Sequence, residues 1–194
     1  MRSAIFLDRD GTLIEEVHFL RRIDQVRLLP GVPEALRDLR DAGFALVVLT
    51  NQSGVARGLL TEETLAGLHA ELSRLLTEQG VALDGIYYCP HHPDHGPEEY
   101  RQDCNCRKPA PGLFEEACRD LDLEPASSWA VGDRLRDLEG AARLGCRGIL
   151  VRTGYGREEA LRAGPGVEVA EDLAEAARRI LARRGQGPGK SQDP

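Results

Sequence analysis

An apolar run near the start of the chain, Ala4-Ile5-Phe6-Leu7, leads straight into two carboxylates in Asp8-Arg9-Asp10-Gly11-Thr12. Acids spaced two apart at a strand end can face one space. There they can bind a divalent cation or divide the work of nucleophile and acid. Alone, Asp-x-Asp-Gly is better read as an acidic turn. A second cluster follows: Cys89-x-His91 and Cys104-x-Cys106, two pairs separated by twelve residues, with Arg107 and Lys108 directly after. Three thiolates and an imidazole match a closed tetrahedral zinc site of structural type. Pro90, Pro93, Gly96 and Pro97 make the intervening segment a loop. The competing readings are a disulfide and unrelated thiols. No secretory signal opens the chain, so a reducing, cytoplasmic setting is expected, which favours zinc. His92 and His95 compete for the histidine position, and His91 is preferred because it repeats the Cys-x-Cys spacing. Cys118 and Cys146 stand apart and read as small buried residues.

Two more apolar runs end in polar residues. Phe44 to Leu49 ends in Thr50-Asn51, and Trp129-Ala130-Val131 ends in Gly132-Asp133, with Asp137 a turn later. In open α/β sheets, ligands sit outside the carboxyl ends of the strands. A phosphomonoester carries nearly two negative charges near neutral pH. Bringing it to carboxylates requires compensation, which Mg²⁺, Lys108 and Arg107 can supply. Lys108 follows a clamped metal knuckle, so its direction is set without regular secondary structure. Chelation of the zinc is therefore expected to weaken phosphate binding.

Taken in order, Asp8-Arg9-Asp10-Gly11-Thr12, Thr50-Asn51, Lys108-Pro109 and Gly132-Asp133-Arg134-Leu135-Arg136-Asp137 resemble the haloacid dehalogenase superfamily of phosphohydrolases. The resemblance implies that Asp8 is the nucleophile and Asp10 the general acid/base, beginning protonated. It implies that Thr50 and Lys108 hold the phosphoryl oxygens, and that Asp8, Asp10 and Asp133 form a magnesium site. Cys89, His91, Cys104 and Cys106 then hold a structural zinc. Within the superfamily, Asn51-Gln52-Ser53-Gly54-Val55-Ala56-Arg57-Gly58 and the Cys/His loop are similar to a zinc-loop group that removes the 7-phosphate of a heptose 1,7-bisphosphate. The alternative is histidinol phosphate. Phosphatases of that kind are often fused to a dehydratase, for which this chain leaves no room. Carry-over from the family places Glu16, Val17, His18 and Phe19 on the sugar, with Asn51, Gln52 and Ser53 also on the substrate. A bisphosphate demands a second cationic site. Arg57 and Arg107 are its candidates, since guanidinium binds phosphate bidentately. Arg57 reads equally well as a solvated loop charge, His18 as an exposed histidine and Phe19 as a packing residue.

The elements that must carry these residues alternate in type. Helices are expected from Val32 to about Ala42, from Thr61 with its stripe Leu65, Leu68, Leu72, Leu75 and Leu76, from Pro111 to about Leu121, from Leu135 to Leu144, and from Glu171 to Arg184. Strands are expected at Ile86-Tyr87-Tyr88 and Gly148 to Val151 as well as at the runs above. This is an α/β fold, a Rossmann-like parallel sheet with helices on both faces, a zinc-binding loop and no large cap domain. Residues 1–184 read as one phosphatase domain and 185–194 as a disordered tail. The 194 residues are 41% hydrophobic, enough for one good core. A net charge of −7 with 5% aromatics argues against a nucleic-acid partner, including the ends of polynucleotides. No run reaches membrane-spanning length. A monomer acting on a phosphorylated sugar is expected. A zinc-binding module on a dead enzyme scaffold would have lost one of Asp8, Asp10, Lys108 or Asp133, and all four are present.

Overall fold

Short runs of branched and aromatic residues, buried on both faces, become the strands of one parallel sheet. They are β1 (Ala4–Leu7), β2 (Ala45–Asn51), β3 (Gly85–Cys89), β4 (Trp129–Gly132), β5 (Arg147–Val151) and β6 (Glu168–Ala170). This computed structural model describes residues 1–184; the tail expected to be disordered, 185–194, lies outside the described residues. The strand order is β3-β2-β1-β4-β5-β6, with every pairing parallel. Ala4 pairs with Ala45 on one side of β1, and Ile5 with Trp129 on the other. The order reverses direction at β1, so the crevice at its carboxyl end, between the loops after β1 and β4, is where such sheets take ligands.

Among the described residues, six helices cover the sheet: α1 (Val32–Asp41), α2 (Glu62–Glu78), α3 (Gly112–Leu121), α4 (Leu135–Arg143), α5 (Gly156–Ala160) and α6 (Leu173–Arg184). The period-2 alternation of a strand divides the core. Ile5, Leu7 and Val48 pack against buried residues of α1, α2 and α6. Phe6, Val47 and Leu49 face Phe114 and Ala117 of α3 and Leu138 and Ala141 of α4. The Thr61 hydroxyl caps α2 by accepting the Thr64 N–H at 3.1 Å. The stripe expected on α2 faces the core, with Leu65, Leu68, Leu72 and Leu76 buried. Helix α6 begins at Leu173 rather than Glu171, because Asp172 accepts the Glu175 N–H and so acts as its cap. Strand β6 and helix α5 were not expected. The three residues of β6 include a glutamate and show no apolar run.

The segments between Gly11 and Leu29 and between Gly54 and Thr61 form loops, with one 3-10 turn at Ile23–Gln25, and no cap domain is built from them. Among the described residues, no helix is long and apolar enough to cross a membrane.

His69 sits on the inner side of α2 with its ring 5.5 Å from that of Tyr88, and its Nε2 is buried with no hydrogen-bond partner. Burial, reinforced by the Arg9 charge, pushes its pKa down to about 4. The unfolded chain therefore binds a proton here between about pH 6.5 and 4 that the folded chain refuses, so stability falls as pH drops through that window. Between pH 7 and pH 5 this one group should cost about 2 kcal/mol. His69→Phe is expected to reduce the acid-side loss by that amount in urea unfolding at the two pH values. An unchanged pH dependence in the variant would remove His69 as the cause.

Candidate active site

The end of β1 delivers Asp8, whose main-chain N–H is held by Val131 O of β4 at 2.9 Å. Its carboxylate meets the Lys108 ammonium, which donates to Asp8 Oδ1 at 2.7 Å and to the Leu49 carbonyl at 2.6 Å. Asp137 Oδ1 lies 2.9 Å from the same ammonium. Burial pushes Lys108 down, and Asp137 and Asp8 together reverse that, leaving it above its ordinary value. Asn51 at the end of β2 fixes the lysine backbone: its amide donates to Lys108 O at 2.9 Å and its oxygen accepts Lys108 N–H at 3.0 Å.

Asp133 comes off β4 toward Asp8. The Tyr155 N–H donates to its Oδ2 at 2.7 Å. Two glycines let it approach: a Cβ on Gly11 would stand 2.4 Å from Asp133 Oδ2, and one on Gly154 would stand 2.2 Å away. Both also have positive φ, +77° and +54°, which a side chain resists. Burial raises the Asp8 pKa to about 6, with Lys108 opposing and Asp137 and Asp10 adding to the rise. Burial and the neighbouring Asp8 push Asp133 up to about 8.

The carboxylates of Asp8, Asp133 and Asp137 lie within 4.8 Å of one another. Three crowded acids served by one ammonium are short of positive charge. Oxygen donors short of charge are what a hard divalent cation takes, so the group fits magnesium. Asp10 does not join that group. Its carboxylate is taken by the Arg9 guanidinium, with contacts of 2.9 to 3.1 Å, and by Gln52 Nε2 at 2.9 Å. Of the residues expected at the magnesium site, the structure brings the carboxylates of Asp8 and Asp133 together, with that of Asp137 beside them, while the Asp10 side chain turns to Arg9 and Gln52.

The second cluster assembles as spaced. The Sγ atoms of Cys89, Cys104 and Cys106 are 3.1 to 3.5 Å apart, and His91 Nδ1 lies 3.3 Å from Cys106 Sγ and 3.7 Å from Cys89 Sγ. A tetrahedral zinc with Zn–S near 2.3 Å needs ligand separations of about 3.8 Å. The four ligand atoms therefore fit zinc after a small outward adjustment. His92 and His95 point elsewhere and lie against each other, with ring centroids 4.5 Å apart and planes tilted by 51°. Glu62 of α2 accepts from the hydroxyls of Tyr88 (2.6 Å) and Tyr100 (2.8 Å), tying the metal loop to the body of the protein.

Above Asp8 opens a cleft of about 380 Å³. Glu16, Val17, His18 and Phe19 form one wall, and Thr50, Asn51, Gln52 and Ser53 form another. Thr50 is buried and accepts Gln52 Nε2 at 2.8 Å. Burial, then Asp10, raises Glu16 to about 7. Arg57 and Arg107 both reach the rim. Arg134, Arg136, Tyr155 and His92 line the cleft too and were not expected there. Arg134 stacks over the Tyr155 ring at 3.6 Å. Asp137 was visible in sequence as an acid a turn after Asp133, and it lies in the first turn of α4. Five arginines facing one cleft stand out in a chain of net charge −7.

Family models agree with this geometry. One described as polynucleotide kinase 3 phosphatase matches residues 3–136, and one described as HAD-hydrolase-like matches residues 105–176. The chain is 44% identical over 193 residues to D-glycero-beta-D-manno-heptose-1,7-bisphosphate 7-phosphatase of Escherichia coli, covering 98% of this chain and 96% of that one. The enzyme of the same name from Yersinia pestis is 46% identical over 153 residues, 78% of this chain and 81% of its own. Among solved structures, D,D-heptose 1,7-bisphosphate phosphatase from B. bronchiseptica, complexed with magnesium and phosphate, superposes with a TM-score of 0.84 at 41% identity, over 93% of this chain and 99% of that one. The chain is a phosphoric monoester hydrolase of the haloacid dehalogenase superfamily and belongs to the D-glycero-beta-D-manno-heptose-1,7-bisphosphate 7-phosphatase family.

Proposed function

We propose that the protein hydrolyses the 7-phosphate of D-glycero-D-manno-heptose 1,7-bisphosphate through an aspartyl-phosphate on Asp8. The observation that carries this is 44% identity across nearly the whole of both chains, with a lysine and three acids converging at the crevice of the sheet. Lys108 holds one oxygen of Asp8 and leaves the other to attack phosphorus. Lys108 and Thr50 bind the phosphoryl oxygens. Asp10 protonates the leaving alkoxide, then takes a proton from the water that hydrolyses the intermediate. The Arg9 guanidinium pairs with the Asp10 carboxylate at 2.9 Å and fixes its direction. Asp8 and Asp133 are the side chains that would hold magnesium; when bound, it offsets the charge on the transferring group and orients its oxygens. Asp137 acts through Lys108, keeping the ammonium charged and aimed. Cys89, His91, Cys104 and Cys106 would hold a structural zinc, which sets the position of Arg107. Glu16 to Phe19 and Asn51 to Ser53 contact the sugar, and Arg57 and Arg107 face its second phosphate.

The test is phosphate release from a panel of both heptose bisphosphate anomers, histidinol phosphate and simple sugar monophosphates. The β anomer of the heptose bisphosphate, for which the relatives are named, is expected to give the highest kcat/KM. Preference for histidinol phosphate would overturn the substrate and leave the chemistry standing.

A further inference from the structure

His92 follows a metal ligand in sequence but turns away from the metal cluster into the cleft. Its Nδ1 accepts the Asp94 main-chain N–H at 3.0 Å, and its Nε2 lies 3.1 Å from Arg57 Nη2. A neutral imidazole has one N–H and one accepting nitrogen. With Nδ1 accepting, Nε2 must carry the hydrogen. A guanidinium offers donors only, so two N–H groups face each other with no acceptor between them. Turning the ring over does not relieve this, because it would set carbon against both Asp94 and Arg57. The pair lacks an acceptor, and a phosphate oxygen facing both nitrogens from the cleft would serve both donors.

The surroundings favour an anion there. Arg57 is backed by the Phe19 ring at 5.8 Å, and Arg107 donates to the His91 carbonyl at 3.1 Å, so neither has an acid as its neighbour in these contacts. The charges acting on His92 are Arg107, Arg57 and His95, with Asp94 alone opposing them. Arg136 stands next to Arg107 and has a buried Nε without a partner.

We propose that His92 is a substrate-binding residue: with Arg57 it grips the phosphate that is not cleaved, joining the metal loop to the loop after β2 across that group. This rests on the bisphosphate reading above. One phosphate bound by both loops would make recognition of the second phosphate depend on the spacing of two separate chain segments.

The experiment compares kcat and KM for the heptose 1,7-bisphosphate and for p-nitrophenyl phosphate in wild type, His92→Ala, His92→Gln, Arg57→Ala and the double alanine variant. The ratio of bisphosphate to monophosphate kcat/KM is expected to fall about tenfold in His92→Ala and further in Arg57→Ala, through KM. His92→Gln, whose amide restores an N–H, should recover part of the ratio. The double variant should lose less than the product of the single losses, because both side chains serve one group. An unchanged ratio in His92→Ala, or equal losses on both substrates, overturns the assignment while the bisphosphate reading stands. A wild-type enzyme indifferent to the second phosphate overturns both.

Discussion

Asp8→Asn is expected to lower turnover by about 10⁴-fold or more while the protein stays folded. An amide oxygen is a far poorer nucleophile than a carboxylate, and the acids beside it are already engaged: Asp10 by Arg9 and Gln52, Asp133 by the Tyr155 N–H, and Asp137 by Lys108. Folding should survive for the same reason. Lys108 keeps Asp137 at 2.9 Å and the Leu49 carbonyl at 2.6 Å, so no buried cation is left unpaired. Removing one of three crowded acids also relieves Asp133, which Asp8 helps to push up to about 8. The melting temperature should therefore equal or exceed that of the wild type. Phosphate release and thermal unfolding measured on one preparation decide the matter. Appreciable turnover in the variant would sink the nucleophile assignment, and a large fall in melting temperature would show that Asp8 has a structural role as well.

Loss of the zinc ligand set is expected to have the second largest effect. Cys106→Ser, or strong chelation, should lower stability by about 3 kcal/mol or more, roughly 6–12 °C in melting temperature for a chain of this size. The damage should be unequal across the cleft. Lys108 is fastened to β2 through Leu49 and Asn51, whereas Arg107 and His92 depend on the loop itself. KM for the bisphosphate should therefore rise much more than kcat falls. Zinc analysis, melting curves and the two kinetic constants test this together. A variant with normal zinc-free stability and normal KM would remove the structural role of the cluster.

Much of this was legible in the sequence because local rules governed it. Apolar runs of three to six residues became central strands, since a strand covered on both faces has no polar side to display. The cysteine and histidine pairs met because their spacing is itself a constraint of metal geometry. What escaped was set by contacts between distant segments. Strand β6 carries a glutamate in three residues and is a strand because β5 offers an edge, Ile149 to Val151, to pair with. Tyr155 enters the cleft through the turn after β5, where its N–H meets Asp133 and its ring meets Arg134. The family resemblance put Asp10 in the magnesium set, and its side chain faces elsewhere. The bidentate hold of Arg9, a neighbour in sequence that is itself fully buried, decided its direction instead.

The pair of hydrogen bonds between Asn51 and Lys108 has a mechanical consequence. A carboxamide carries the same donor and acceptor as a peptide unit, so the ladder of the sheet is prolonged by one rung that is not backbone. The Lys108 backbone is thereby geared to the rigid frame of β2, so the reacting ammonium keeps its alignment independently of the cysteine loop that precedes it.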